Sequence, residues 1–207
     1  MHILIWNGRI PLFLKVGFSL FVGLLVAVYW WSYGPTNFLW GSDIALFLIC
    51  AALWYEHPLP NSMMAIGLLP FEILWCIDFL SGARLLGATA YMFEPDRPLY
   101  LKALSLFHFL LPVIMVFLLR RLGYDRRALV AQTLLIWLVL PASYLLTGST
   151  ENINFVYGPG KEPQTWIHPT AYVAAVMLLL PVVVCLPMHL VLDRIFGERA
   201  PEVKFRS

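Results

Sequence analysis

The chain is poor in charge, poor in cysteine, and carries none of the compact signatures of nucleotide or hydrolytic chemistry. Only 13% of its 207 residues are Asp, Glu, Lys or Arg, about half of what a soluble domain carries. No basic stripe interleaved with aromatics runs through it, which excludes a nucleic-acid surface. The three cysteines, Cys50, Cys76 and Cys185, form neither a CxxC pair nor a Cys/His ligand spacing. A disulfide framework and a zinc knuckle are therefore unsupported, and the thiols read as small apolar packing groups. G-x-S-x-G, H-E-x-x-H, H-x-x-x-H, P-loop and dinucleotide fingerprints are all absent, and so are the glycosylation sequon and lipidation motifs.

What the chain has instead is apolar length. It is 60% hydrophobic, with a mean hydropathy of +0.77. A spanning helix needs ~20 residues, so the length accommodates six with short loops. The predicted fold is all-α: a polytopic integral membrane protein, one transmembrane domain over residues 1–207. The spans are expected at Pro11–Trp31, Phe38–Tyr55, Ser62–Leu80, Leu101–Leu119, Ala128–Leu146 and Thr170–Leu192. Pro70, Pro112, Pro141 and Pro181 fall inside four of them and predict kinks, because each removes a helix donor and frees the carbonyl four residues earlier. Residues 1–8, with Ile3, Leu4, Ile5 and Trp6, suggest a short interfacial segment. No small-x-small cleavage pattern follows Trp30-Trp31-Ser32-Tyr33, so the first span is expected to stay as a signal anchor.

Basic residues set the expected orientation. Arg9, Lys15, Arg120, Arg121, Arg126, Arg127, Arg194, Arg199, Lys204 and Arg206 fall on one side of a six-span layout, against Arg84, Arg97, Lys102 and Lys161 on the other. Both termini are therefore predicted to be cytoplasmic, in a bacterial inner (plasma) membrane. The outer loops, Tyr33–Asn37, Ser81–Tyr100 and Thr147–Pro169, are rich in Gly, Pro, Asn and aromatics. Two of them share a tripeptide with an asparagine nearby: Tyr33-Gly34-Pro35 with Asn37, and Tyr157-Gly158-Pro159 with Asn154.

Ionisable side chains inside hydrocarbon are costly and mark function or pairing. At 1.5 Å per residue, Asp43 lies about 7–8 Å below the outer surface, Asp78 about 3 Å and His108 about 10 Å. Two carboxylates and an imidazole at similar depth are expected to converge as a catalytic site. They share a proton, polarise water, or bind a divalent metal, for which this donor mix suits Zn, Mn or Fe. Asn37, Asn154, Tyr157 and His168 are expected to contact substrate from the outer cap. Glu72, near the centre of the third span, lies about 240° around the helix from Asp78 and cannot share one narrow pocket with it. It is expected to make a structural hydrogen bond, with Gln132 as partner. Glu56, His57, His189 and Asp193 form a candidate second cluster at the inner border.

The function this pattern suggests is a small integral membrane enzyme acting on a lipidic or amphiphilic substrate through an outward-facing Asp/Asp/His site. Two alternatives use the same composition: a proton- or ion-coupled transporter, and a non-catalytic lipid- or pigment-binding subunit of a larger membrane complex. Expected partners are membrane lipids, with a membrane-protein partner or a second copy of the chain for the subunit reading.

Overall fold

A computed structural model describes residues 10–160 and 162–197. The interfacial segment expected at residues 1–8, and the cations Arg9, Lys161, Arg199, Lys204 and Arg206, lie outside the described residues.

The described chain is all helix, with no strand among the described residues. Its helices are α1 (Leu12–Tyr33), α2 (Gly41–Tyr55), α3 (Pro58–Gly67), α4 (Leu69–Leu80), α5 (Leu99–Ser105), α6 (Phe107–Leu122), α7 (Ala128–Leu146), α8 (Pro169–Leu180) and α9 (Leu186–Phe196). Four stretches are long and apolar enough to cross a membrane: Leu12–Tyr33, Leu99–Leu122, Ala128–Leu146 and Pro169–Phe196. The pair α3 and α4, bent by 53°, makes a fifth if it is one span. The 15-residue α2 is apolar but shorter.

The segment expected at Ser62–Leu80 is thus two helices. The break sits at Leu68, whose φ of −117° leaves the helical range and whose carbonyl starts the next ladder by accepting from Glu72 N–H at 2.9 Å. Pro70 in the first turn of α4 explains it, since proline tolerates a helix start but not a helix interior. Prolines also shape the other end of α3. Pro58 opens that helix, and the His57 ring nitrogen Nδ1 caps it by accepting from Leu59 N–H at 3.2 Å. The last helical stretch contains a π turn over Pro181–Cys185.

Helix α3 is the hub. It packs on α2, α6, α7 and α9, and Asn61, Ser62, Ala65 and Gly67 along it are buried. Small side chains let backbones approach closely where lipid offers no hydrophobic drive for association. Around the hub lie Leu46, Ile49, Leu53, Met64, Leu111, Met115 and Leu118, all fully buried. The opposite faces of α1 and of α8–α9 leave Phe13, Leu20, Leu24, Leu178, Val182 and Leu190 exposed. Such outward apolar faces suit lipid.

Freed carbonyls find donors. Pro181 leaves the Met177 carbonyl without its helix partner, and Trp137 Nε1–H donates to it at 3.0 Å. Pro112 does the same to the His108 carbonyl, which receives the Cys76 thiol at 3.4 Å.

The helices define two polar ends. At one, Glu56 accepts from Lys15 Nζ at 2.6 Å and from Ile10 N–H at 3.2 Å. Tyr124 Oη meets His189 Nδ1 at 2.7 Å, and Arg126 pairs with Asp193 at 2.7 Å. The second cluster expected from Glu56, His57, His189 and Asp193 is therefore dispersed among separate partners. The other end, formed by the start of α2, the ends of α1, α4 and α7 and the loops between them, holds the candidate site.

Candidate functional site

A cavity of about 850 Å³ opens among α2, α4, α6, α7 and α8. Its walls are mainly apolar and aromatic, with Trp40, Phe71, Trp75, Phe107 and Tyr172 among them. Polar groups project into this wall at a few places, which is the usual build of a site for an apolar ligand with a functional head.

The strongest polar feature is a pair. His108 Nδ1, from α6, lies 2.6 Å from Glu72 Oε2, from α4. Both residues line the cavity, and Glu72 is only 2% exposed. With Glu72 ionised, Nδ1–H donates to it, and Nε2 becomes the nitrogen free to exchange a proton. The imidazole is clamped between Trp75, stacked at 4.3 Å, and Phe107, stacked at 4.2 Å. The plane of the ring is therefore held by its two aromatic neighbours.

Asp43 sits in the first turn of α2, 2% exposed, and lines the same cavity. Its Oδ2 accepts from Asn37 Nδ2 at 2.8 Å, while its Oδ1 is buried without a partner. Gln132 of α7 lies deeper in the cavity and also has a buried, unpartnered amide oxygen. Gln132 crosses α3 at Gly67, where a Cβ would collide with its amide. A larger residue there would have to displace the Gln132 side chain, and no unusual backbone conformation is involved.

The two asparagines beside the repeated Tyr-Gly-Pro tripeptides converge on the start of α2. Asn37 holds Asp43. Asn154 accepts from Gly41 N–H at 2.9 Å and donates from Nδ2 to the Leu39 carbonyl at 2.7 Å and to Ser143 Oγ at 2.9 Å. Asn152, Asn154 and Phe155 all adopt left-handed φ, between 42° and 58°. That conformation is costly for Phe; the Phe155 ring packs edge-on against Trp40 at 5.8 Å.

At the mouth, Arg97 donates to Tyr33 Oη at 2.8 Å, pairs with Glu94 at 3.2 Å and stacks over the Tyr91 ring at 5.0 Å. Burial is the main force pushing the Tyr91 phenol up to about 12, against its hydrogen bonds to Ser105 and Trp75.

Of the residues expected from sequence, the cavity brings together Asp43, His108, Asn37 and Asn154. Asp78 does not join them, which corrects the expected three-way convergence. Its carboxylate turns into the following loop, where Oδ1 accepts from Leu86 N–H at 2.7 Å and Gly87 N–H at 3.2 Å. Oδ2 accepts from Thr89 N–H at 2.8 Å and from Thr89 Oγ1 at 2.7 Å. A carboxylate at a helix end finds donors in the chain just ahead of it, and here three amides and one hydroxyl fill its lone pairs.

Tyr157 and His168 also lie outside the cavity lining. The Tyr157 hydroxyl sits 2.8 Å from both the Tyr144 and Thr147 carbonyls and ties down the end of α7. His168 Nδ1 meets Thr170 Oγ1 at 2.8 Å on an exposed surface.

The metal expectation loses its ligand set with Asp78. Among the described residues no three His, Cys, Asp or Glu side chains are grouped to hold an ion. Glu72, expected to bond Gln132, bonds His108 instead. Sequence reasoning missed it as a site residue although its depth matches that of His108. Comparison with protein-family models, with curated proteins and with solved structures gives no match.

Proposed function

We propose that the protein is a small integral membrane enzyme that carries out proton-transfer chemistry on a lipidic or amphiphilic substrate. The observation that carries this reading is the Glu72–His108 pair, clamped by aromatic rings in the wall of an apolar cavity that also buries Asp43. His108 Nε2 takes or gives the proton, Glu72 orients the ring and balances its charge, and Asp43 supplies a second carboxyl group to the wall. No serine or cysteine is hydrogen-bonded to an imidazole nitrogen among the described contacts, so an acyl- or thiol-enzyme route has no support.

The layout we propose has six spans over one domain, with α2 and its preceding 3-10 turn (Pro35–Leu39) as the short second span. Lys15, Arg120, Arg121, Arg126, Arg127 and Arg194 lie at the end away from the cavity, which favours cytoplasmic termini and an outward-facing site in a bacterial plasma membrane.

Ion-coupled transport is the competing reading. Ile66, Leu119, Tyr124 and Ala128, each 1% exposed or less, pack into one core cluster around the start of α7, which favours a substrate site over a continuous path. The subunit reading draws on the exposed apolar faces of α1 and α8–α9.

The test is lipid turnover by the full chain in proteoliposomes made from a total bacterial lipid extract, followed by mass spectrometry. Wild type should deplete one lipid class, and His108→Gln should slow this by ~10²–10⁴-fold, the usual worth of a general acid–base group. Identical lipid profiles for the two proteins would remove the enzyme reading. A pH-driven ion flux abolished by the same variant would favour the transporter instead.

A further inference from the structure

Resting on the proposed amphiphile site, we infer that the ligand's head presents a hydrogen-bond donor, a hydroxyl or a protonated amine, to Asp43 Oδ1. Asp43 is 2% exposed and lines the cavity, and this oxygen has no partner. A buried carboxylate oxygen left bare is costly, and a ligand that donates to it recovers that cost on binding.

The charges around the cavity point the same way. Three carboxylates line it, those of Asp43, Glu72 and Glu151, against two cationic or titratable bases, Arg97 and His108. Both bases already face carboxylates: Arg97 meets Glu94, and His108 meets Glu72. An anionic head would find both cationic partners already paired with carboxylates. A donor-bearing head meets an acceptor that has no other partner. Phe71, Tyr172 and Val176, lining the cavity on α4 and α8, suit the chain of such an amphiphile. Helix α4 packs on α3 and α6 whereas α8 packs on α7, so this part of the wall lies between helices held by different neighbours.

The experiment uses the full chain in lipid nanodiscs and three photoreactive probes with the same diazirine-bearing C16 chain. One ends in a primary alcohol, one in a primary amine and one in a sulfonate, and labelling is mapped to peptides carrying Trp75 or Tyr172. The alcohol, the amine or both should label these peptides at least tenfold more efficiently than the sulfonate. Asp43→Leu should abolish the difference. Asp43→Asn should weaken the amine selectively if the natural head is an ammonium, and leave the alcohol within about threefold if it is a hydroxyl. Labelling by the sulfonate equal to or above the other two overturns the inference and leaves the amphiphile site standing. Labelling of neither peptide by any probe overturns the site itself. The probe series on unaltered protein decides the matter even if an Asp43 variant fails to fold.

Discussion

Glu72 and His108 face each other at 2.6 Å from two different helices, and their depths agree. Glu72 is eight residues from the end of α4 at Leu80, and His108 nine from the start of α5 at Leu99, about 12 and 13.5 Å along a helix axis. Removing the acceptor leaves the buried His108 Nδ1–H without a partner, which typically costs about 1–3 kcal/mol. Glu72→Ala is expected to destabilise by that order and to abolish turnover. Glu72→Gln keeps a hydrogen bond and should lose turnover with a smaller fall in thermal stability. Thermal unfolding in detergent alongside the proteoliposome assay separates the two losses; equal melting temperatures for Glu72→Ala and wild type would contradict the pairing.

Asp78 organises the loop above the cavity without entering it. Replacing it with Ala orphans the amides of Leu86, Gly87 and Thr89. Hydrogen bonds to a charged group are worth about 1.5–3 kcal/mol each. Amide exchange at these three positions should therefore accelerate tenfold or more, while exchange around His108 stays as it was. Unchanged protection at Thr89 would refute this assignment.

Gly67 sets the position of Gln132. In Gly67→Ala the new methyl displaces the Gln132 amide, at an overpacking cost of about 1–3 kcal/mol. Truncating the glutamine should relieve the clash, so Gly67→Ala/Gln132→Ala is expected to be more stable than the sum of the single changes. A double-mutant cycle on melting temperatures reads the coupling; additive effects would show that the two positions do not meet.

Asp125, between α6 and α7, is held below the ordinary carboxylate range mainly by the hydrogen bond from Arg127. A lowered folded-state value adds stability that is present above the unfolded value, 3.8, and lost as pH falls through the folded one. With Arg127 solvent-exposed, the effect is on the order of 0.2–1 kcal/mol. Wild type should exceed Asp125→Asn in stability by this margin from pH 7 to 5, and the gap should close at lower pH. A gap that widens on acidification would reverse the sign and defeat the argument.

Much of the helical layout was legible because apolar length is written directly in the sequence. Ala128–Leu146 is both the expected span and the observed α7. The break at Leu68 was legible only in part, since Pro70 signals an interruption but not the size of the 53° bend. The site was half legible. Depth along a helix can be counted from sequence, which brought Asp43 and His108 to one level. Direction around the axis depends on what lies opposite, which is how Asp78 came to serve its own loop and His168 its neighbouring threonine. A lone acid at mid-depth, such as Glu72, suggests a structural bond. Matching its level to that of His108 was the available clue.

The Asn154 carboxamide joins chain segments 113 and 115 positions apart. Because it replaces the missing neighbours of the Gly41 amide and the Leu39 carbonyl, it fastens the strained turn at 152–155 directly to the first coil of α2. Asp43 stands two residues beyond Gly41, so this tie ends beside the carboxyl group in the cavity wall.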